Sequence, residues 1–411
     1  MKTTIEKITG YEILNGKGKP TVEAVLTTSD GMTVHASTPS GASKGKYEAV
    51  ELYDGGERYR GFGTRKAAAN LSGEINNALR GMDVTDQRAI DRVLCELDGT
   101  SRKERLGSNA VLAASMAAAK AGAATLRLPT YRYLGGFSPR RIPCVSSTVI
   151  SGGAFSPSGL EFEDYLLILD GFPTYADSVE ALCRIRYELE KAVHSKVGIC
   201  PEDAGALAPA LESTEETFDT ILGAVRAAGC EQYASLGLDV AANEMYDEAT
   251  GTYLLSKYQR RYTPDELLNY YEKLCKDYPL TYIEDAFQED QFDDFARLTK
   301  ALPGVKISGD DLFATNAKRL SLGIEKKAAN TLLFKLNQIG TVTEAFQTAM
   351  LAIDNGFSIT ASCRSGESLE DFYCDLAVAI GAEQMKMGSP VRGERNAKFN
   401  RLLRIETELF G

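Results

Sequence analysis

The 411-residue chain is 44% hydrophobic and 25% charged, which is typical of a globular protein. Its length predicts two domains, or one large barrel with an added module. The net charge of -11 argues against nucleic acid as the main partner, because phosphate binding requires a basic face. Since the N-terminal residues lack an apolar signal core and no stretch approaches the length of a membrane span, we expect a cytoplasmic protein.

Two residue counts restrict the chemistry. His35 and His194 are the only histidines, so neither a histidine-rich zinc site nor a Ser-His-Asp triad is easily built. The eight cysteines include no C-x-x-C pair and no metal-ligand spacing, as expected of reduced thiols in the cytoplasm. Acid, base and metal-binding roles therefore fall to carboxylates and lysines.

The first part of the chain predicts an α+β module. Residues 4–38 alternate apolar and polar types around turn signals at residues 15–18 and 29–32, which predicts a three-stranded antiparallel meander. The small-residue segment Pro39–Gly45 could be a linker or a lid that closes over a ligand. Helical periodicity follows over about residues 66–79, 86–97 and 108–126.

A change in composition after Leu128 marks a predicted domain boundary. We predict a capping domain over residues 1–135 and a second domain over residues 136–411. In the second domain, short strand-like runs alternate with amphipathic helices, which predicts a β/α sheet or barrel.

Charged residues stand at or near the ends of these strand-like runs. They are Asp239, Glu284, Asp310, Lys335, Arg364 and Lys386. In a barrel of parallel strands such ends open onto one face, where these folds have their active sites. Each acid alone is typical of a solvated strand end or a helix cap. Three carboxylates on one face, however, would repel one another unless a cation neutralised them, and oxygen ligands suit Mg2+.

The run Thr331–Gly340 sets Lys335 inside an apolar stretch. Branched and aromatic residues followed by Asn-Gln and Gly are typical of a buried strand. Burying an ammonium costs free energy unless it is paired, or unless its pKa falls so that it acts as a base. The alternative is an edge strand whose Lys335 side chain reaches water. The charged residues at the other strand ends favour the base.

Eight segments of the chain carry a family resemblance. They are Pro39–Gly45, Leu97–Thr100, Tyr131–Gly136, Leu238–Ala242, Gly309–Phe313, Lys335–Thr341, Arg364–Glu367 and Leu402–Ile405. With these segments in this order, the chain resembles the enolase family over nearly its whole length. The resemblance implies an α/β protein with an enolase-type β/α barrel after an N-terminal α+β capping domain. Enolase-superfamily sites are a known example of a lysine or histidine base that works with one or two Mg2+.

The resemblance also implies roles for individual residues. The implied ligands of two Mg2+ per active site are Asp239, Glu284 and Asp310 for the first ion, with Ser43 helping to bind the second. The implied substrate contacts are Arg364 and Ser365 for phosphate and Lys386 for a carboxylate. Lys335 matches the base that removes the proton next to that carboxylate. Divalent cations would offset the charge of the resulting enolate and lower the pKa of Lys335.

The side of the site that handles the leaving group departs from the family. The segment Glu202–Ala206 aligns with a Gly-Asp-Glu-Gly-Gly segment of enolases, and Ala204 stands at the glutamate that assists departure of the hydroxyl. Loss of a general acid typically costs about 100- to 10,000-fold in rate. Glu202 or Asp203 could substitute through a shifted loop.

Further positions differ from the family. Phe155 and Cys363 stand where enolases have histidines, and Lys17 where they have an arginine. A Gln-Glu pair of the family corresponds to Glu163 and Asp164, from which we predict Glu163 as a substrate contact and Asp164 as a catalytic residue.

The retained and altered residues together favour a divergent enolase-family enzyme, which uses Lys335 and Mg2+ to form an enolate from a small phosphorylated or phosphonate acid. The alternative is ordinary enolase, which dehydrates 2-phosphoglycerate to phosphoenolpyruvate. A second alternative is a non-catalytic binding protein with the enolase fold, and the complete set of metal ligands argues against it.

The family forms a homodimer in which a glutamate of the first module pairs with an arginine near the C-terminus. Both are present as Glu23 and Arg404, so the resemblance implies a homodimer. Each residue could equally be an ordinary surface charge.

Overall fold

The computed structural model describes residues 2–41, 44–137, 141–154 and 156–411. Two predicted site residues, Ser43 and Phe155, therefore lie outside the described residues. The N-terminal sheet consists of β1 (Ile5–Leu14), β2 (Pro20–Thr28) and β3 (Thr33–Ser37), each antiparallel to the next, as predicted from the alternation.

Six segments, five α-helical and one π-helical, follow this sheet. They are α1 (Arg65–Asn70), a π-helical segment (Leu71–Ile75), α2 (Asn76–Leu79), α3 (Gln87–Asp98), α4 (Ser108–Thr125) and α5 (Thr130–Gly135). Helix α4 packs on β2 and is buried on almost every side, which its alanine-rich sequence permits. The predicted division of the chain at residue 135 falls between α5 and the next strand.

The remaining strands, in chain order, are β4 (Cys144–Ser151), β5 (Asp164–Leu169), β6 (Glu202–Asp203), β7 (Ala206–Leu207), β8 (Ala234–Asp239), β9 (Tyr246–Asp247), β10 (Thr252–Leu255), β11 (Arg260–Tyr262), β12 (Leu280–Glu284), β13 (Lys306–Gly309), β14 (Thr331–Phe334), β15 (Ser358–Ser362) and β16 (Gln384–Lys386). Eight of them form a barrel in the order β16-β15-β14-β13-β12-β8-β5-β4, which the pairing of β16 with β4 closes. Strands β9, β10 and β11 form a separate small sheet.

The helices that follow α5 are α6 (Tyr175–Val197), α7 (Thr214–Ala227), α8 (Pro264–Asp277), α9 (Phe292–Ala301), α10 (Ala317–Lys326), α11 (Val342–Asp354), α12 (Phe372–Ala379) and α13 (Gly393–Phe410). Local sequence explains where several of them begin. At α8, the Thr263 side chain accepts from the Glu266 backbone N–H while the Glu266 side chain accepts from Thr263, and Pro264 occupies the first turn. Among the described residues, no helix combines the length and the apolar character needed to cross a membrane.

One barrel strand runs against expectation. The sequence analysis expected parallel strands, but β5 is antiparallel to both of its neighbours, β4 and β8. Its first residue, Asp164, therefore lies opposite Asp239 at the end of β8 and opposite Ser151 at the end of β4. The start of β5 thus contributes side chains to the face formed by the carboxyl ends of the other strands.

The barrel interior is filled by side chains. Leu166 and Ile168 of β5, Tyr282 of β12 and Leu333 of β14 form one buried cluster. Because these three strands are not neighbours in the sheet, their side chains meet across the inside of the barrel. The inside of the barrel is therefore packed with side chains, as is typical of this fold, which has its active sites at one end.

Candidate active site

A pocket of about 100 Å3 lies at the carboxyl ends of the barrel strands. Twelve residues singled out from the sequence line it: Lys17, Glu163, Asp164, Asp203, Ala204, Asp239, Asp310, Lys335, Cys363, Arg364, Ser365 and Lys386. Glu284, at the end of β12, is fully buried and contacts the ammonium of Lys386. The topology thus brings together residues that are far apart in the chain.

Lys386 lies at the centre of a group of carboxylates. Its Nζ is 2.5 Å from Asp239, 3.1 Å from Asp164 and 3.2 Å from Glu284. Burial, reinforced by the charge of Asp239, raises the pKa of Glu284 well above its usual value. Burial opposes the charge of Lys386, but Asp239 and Glu284 raise the pKa of Lys386 well above its usual value. The predicted carboxylate contact of Lys386 is, in this structure, made to carboxylates of the protein itself.

Lys335 follows β14, an interior strand of the barrel, and is only 8% exposed. The alternative of an edge-strand lysine that reaches water is therefore wrong. The Lys335 Nζ donates to Asp310, whose other oxygen accepts from Gln338 at 2.7 Å. Burial acts to lower the pKa of Lys335, but the Asp310 carboxylate raises it above the usual value. The neutral base expected from the sequence thus requires that Asp310 be neutralised by another cation.

The chemistry of the pocket fits a hard divalent cation. Its lining carries eight carboxyl groups against five cationic side chains, so carboxyl oxygens are in excess. Carboxylate oxygens at this density are the donors that Mg2+ prefers. The residues Asp239, Glu284 and Asp310 would bind the ion, which would supply positive charge for a developing enolate.

A second acidic group overlaps this predicted set. Ligand oxygens of Asp285, Asp310 and Asp311 all lie within 4.8 Å of one another. Asp285 accepts from the backbone N–H groups of Asp310 and Asp311, at 2.9 and 2.8 Å, and so orients the loop after β13. The sequence analysis assigned no role to Asp285 or Asp311, although the adjacent acid pairs Glu284-Asp285 and Asp310-Asp311 are visible in the sequence.

Arg364, a predicted phosphate contact, is paired with Glu48 of the N-terminal part of the chain. The Glu48 oxygens lie 3.0 and 3.1 Å from the two terminal nitrogens of Arg364, and Asn337 accepts from it at 2.9 Å. Both charged side chains are about 95% buried. Glu48 follows the small-residue segment Pro39–Gly45, so the chain just after that segment contacts a side chain that lines the pocket.

We expect Glu48→Gln to lower the free energy of unfolding by about 3–5 kcal/mol, because removing one partner of a buried ion pair leaves Arg364 uncompensated. Urea denaturation measures this change. Glu57→Gln, an exposed glutamate nine positions further along, serves as the control and should change stability by less than about 0.5 kcal/mol. Equal urea midpoints of unfolding for the two variants would contradict a stabilising role of the Glu48–Arg364 pair.

On the leaving-group side, Ala204 sits in the tight turn between β6 and β7. Ala204 and Gly205 have φ of 48° and 87°, and positive φ at both central residues is what a two-residue type I′ hairpin turn requires. Glu202 pairs with Arg186 at 2.8 Å and does not line the pocket, so it cannot replace the missing acid. Asp203 does line the pocket and pairs at 2.9 Å with Lys17, which lies between β1 and β2.

Glu163 and Asp164 are the other acids on this side. Burial, together with the charges of Asp239 and Asp164, raises the pKa of Glu163 to about 8. Burial also raises the pKa of Asp164, although the nearby Lys386 acts to lower it. Cys363, in a position where the family has a histidine, is buried, and burial raises the pKa of its thiol to about 12. Cys363 is therefore a poor acid–base group at neutral pH.

An eight-stranded barrel with acids and two lysines at its strand ends defines a class of protein: a β/α barrel with a charged site at the carboxyl ends of its strands. The comparisons with known proteins identify the family within this class. Residues 5–134 match the family model described as "Enolase, N-terminal domain", and residues 140–411 match "Enolase, C-terminal TIM barrel domain".

Curated proteins named enolase are similar over the full chain. The enolases of Methanopyrus kandleri and Methanothrix thermoacetophila are each 43% identical, over 99% and 100% of this chain and 96% and 97% of their own length. The enolase of Pyrococcus furiosus is 43% identical over 98% of this chain and 95% of its own. The chain belongs to the enolase family, and this membership makes it a hydro-lyase-type enzyme. The shared name of these relatives favours ordinary enolase, the alternative hypothesis, over a divergent member.

Proposed function

We propose that this protein dehydrates 2-phosphoglycerate to phosphoenolpyruvate in the presence of Mg2+, the reaction that the name of its relatives denotes. The observation that carries the proposal is one pocket that contains both a lysine, Lys335, and two acids, Glu163 and Asp164, at the ends of barrel strands. A base and an acid in one site are what removal of a proton and departure of a hydroxyl require.

In this proposal the residues act as follows. Arg364 and Ser365 orient the phosphate, and Lys335 accepts on its Nζ the proton next to the carboxylate. Bound Mg2+ supplies the positive charge that stabilises the resulting enolate. Asp164, with Glu163 beside it, protonates the departing hydroxyl, because Ala204 has no acidic group to do so.

A second candidate has a specific observation in its favour. The turn that carries Ala204 lines the pocket without an acid at that position, and Cys363 replaces a histidine in the same pocket. An enzyme that lacks these groups is suited to a related phosphorylated or phosphonate acid, on which proton abstraction by Lys335 is retained and the later step differs.

One experiment separates the candidates. The purified protein is incubated with Mg2+ and 2-phosphoglycerate in deuterated water, and both phosphoenolpyruvate formation and deuterium incorporation next to the carboxylate are followed. Rapid phosphoenolpyruvate formation supports the first candidate. Deuterium incorporation without elimination overturns it in favour of the second. Neither signal, together with no stabilisation by Mg2+, would support a non-catalytic binding protein.

Restoring the acid is a direct test of the leaving-group side. We expect Ala204→Glu to raise the rate of dehydration by about 10-fold or more, since a positioned general acid typically contributes about 100- to 10,000-fold. The measurement is phosphoenolpyruvate formation under saturating Mg2+. Ala210→Glu, at an exposed position near the same hairpin, is the matched control and should leave the rate unchanged. An unchanged rate in Ala204→Glu would mean that the existing acids already suffice or that the turn lies too far from the leaving group.

The proposal includes a cytoplasmic homodimer. Arg404 is exposed and has no ion-pair partner among the described residues, and Glu23 contacts His35 at 3.3 Å on the N-terminal sheet. Pairing of Glu23 in one copy with Arg404 in the other would compensate both charges.

A further inference from the structure

Arg395 is a buried cation in the active-site pocket, and no described carboxylate lies within ion-pair distance of it. It lies in the first turn of α13, lines the pocket and is only 3% exposed. Its two terminal nitrogens donate to the backbone carbonyls of Met387 at 3.3 Å and Ser365 at 3.0 Å. The Nε has no hydrogen-bond partner, and no ion pair between described residues includes Arg395.

This arrangement leaves both a charge and a donor unsatisfied. A guanidinium offers five N–H donors, and two carbonyl contacts use only part of them. Buried charges in proteins are normally paired, because desolvation without a partner is costly. Arg364 in the same pocket shows the normal situation, since Glu48 compensates its charge. Arg395 therefore has the properties of a side chain whose partner is a ligand.

Small residues lie near Arg395. Gly388 packs against it, and a Cβ built there would lie 3.3 Å from Cδ and 3.4 Å from Nε of Arg395. Cys363 and Ala204 line the same pocket. These two positions are where the resemblance implies a histidine and a glutamate, so the chain has lost bulk, and one negative charge, on the side of the pocket to which Arg395 belongs.

We propose that Arg395, which lines the pocket without an ion-pair partner among the described residues, binds an oxyanion of the substrate, of the phosphate or phosphonate class. Arg395 is then an anion-binding residue in addition to Arg364 and Ser365. A guanidinium presents adjacent N–H groups that match the spacing of phosphate oxygens. The assignment of this anion to the substrate rests on the proposed function. The affinity of the site for a free anion does not depend on that function.

The test measures binding of inorganic phosphate to the purified full-length protein by isothermal titration calorimetry, without Mg2+ and at constant ionic strength. We expect Arg395→Met to weaken phosphate affinity by about 10- to 100-fold, the range for one charge-assisted hydrogen bond. The matched control is Arg392→Met, which removes the same charge three positions earlier from a side chain that does not line the pocket, and its affinity should stay within about twofold. Equal affinity of Arg395→Met and the wild-type protein would overturn the proposal, as would an equal loss in Arg392→Met.

A second variant separates anion binding from a structural role. Arg395 also supports the carbonyls of Met387 and Ser365, so Arg395→Met can lower stability without any ligand. Arg395→Lys keeps the charge but has no Nε, and we expect an affinity between those of the wild-type protein and Arg395→Met. If Arg395→Met does not fold, wild-type affinity in Arg395→Lys overturns the proposal.

The phosphate-binding test of Arg395 and the dehydration test of the proposed reaction can fail independently of each other. Loss of phosphate affinity in the Arg395 variants, in a protein that does not dehydrate 2-phosphoglycerate, supports the anion site and rejects the reaction. Dehydration by a protein whose phosphate affinity does not depend on Arg395 supports the reaction and rejects the anion site.

Discussion

Replacing Lys335 by methionine is expected to reduce deuterium incorporation next to the substrate carboxylate by about 100- to 10,000-fold, the usual contribution of a general base. Lys335 is buried, directly follows β14 and contacts Asp310, so its Nζ lies beside one of the predicted Mg2+ ligands. Methionine has nearly the same length and is compatible with burial, but it cannot accept a proton. The measurement is the initial rate of exchange in deuterated water with Mg2+ and 2-phosphoglycerate.

The control for this substitution is Lys318→Met, which removes an exposed lysine at the start of α10 and should leave exchange unchanged. Because the loss of Lys335 leaves Asp310 without its ammonium partner, circular dichroism should verify that the variant is folded. Exchange at the wild-type rate in folded Lys335→Met would remove Lys335 from the mechanism, and another group would have to be the base.

The second large effect concerns the cation. We expect Asp239→Asn to weaken Mg2+ affinity by about 100-fold or more, since it removes one negatively charged ligand from the predicted set of three. In the wild-type protein, Mg2+ at 100 times its Kd should add about 2.7 kcal/mol of stability, which appears as a higher Tm. At the same Mg2+ concentration most of this increase should be absent in Asp239→Asn.

Asp219→Asn removes an exposed carboxylate of α7 and should keep the full Mg2+-dependent rise in Tm. The Tm without Mg2+ must also be compared, because Asp239 contacts Lys386 and its replacement changes the metal-free protein as well. An Mg2+-dependent rise in Asp239→Asn equal to that of the wild-type protein would exclude Asp239 as a ligand. The overlapping acids Asp285, Asp310 and Asp311 would then be the set to test.

Much of the architecture is encoded locally and could be predicted from the sequence. Alternation over residues 4–38 predicted the N-terminal meander, and helical periodicity predicted α3 and α4 to within a residue or two. These patterns depend on which side of each segment is buried, and burial leaves a period of two or of 3.6 in the sequence. The charged residues at the strand ends were visible for the same reason, because each interrupts an apolar run.

The tertiary structure alone decided how those residues meet. The antiparallel direction of β5, which brings Asp164 opposite Asp239, leaves no local signal, since alternation is the same in both directions. The pairing of Lys17 with Asp203 joins side chains 186 positions apart, and that of Glu48 with Arg364 joins side chains 316 apart. These long-range contacts decide which charged side chains have a partner of opposite charge. They compensate Arg364, but they do not compensate Arg395.

The sequence by itself therefore determined the family, the barrel and the charged residues at the carboxyl ends of its strands. The tertiary structure decided which of those charges neutralise one another, because electrostatic pairing depends on distance in space and on burial, neither of which the order of residues expresses.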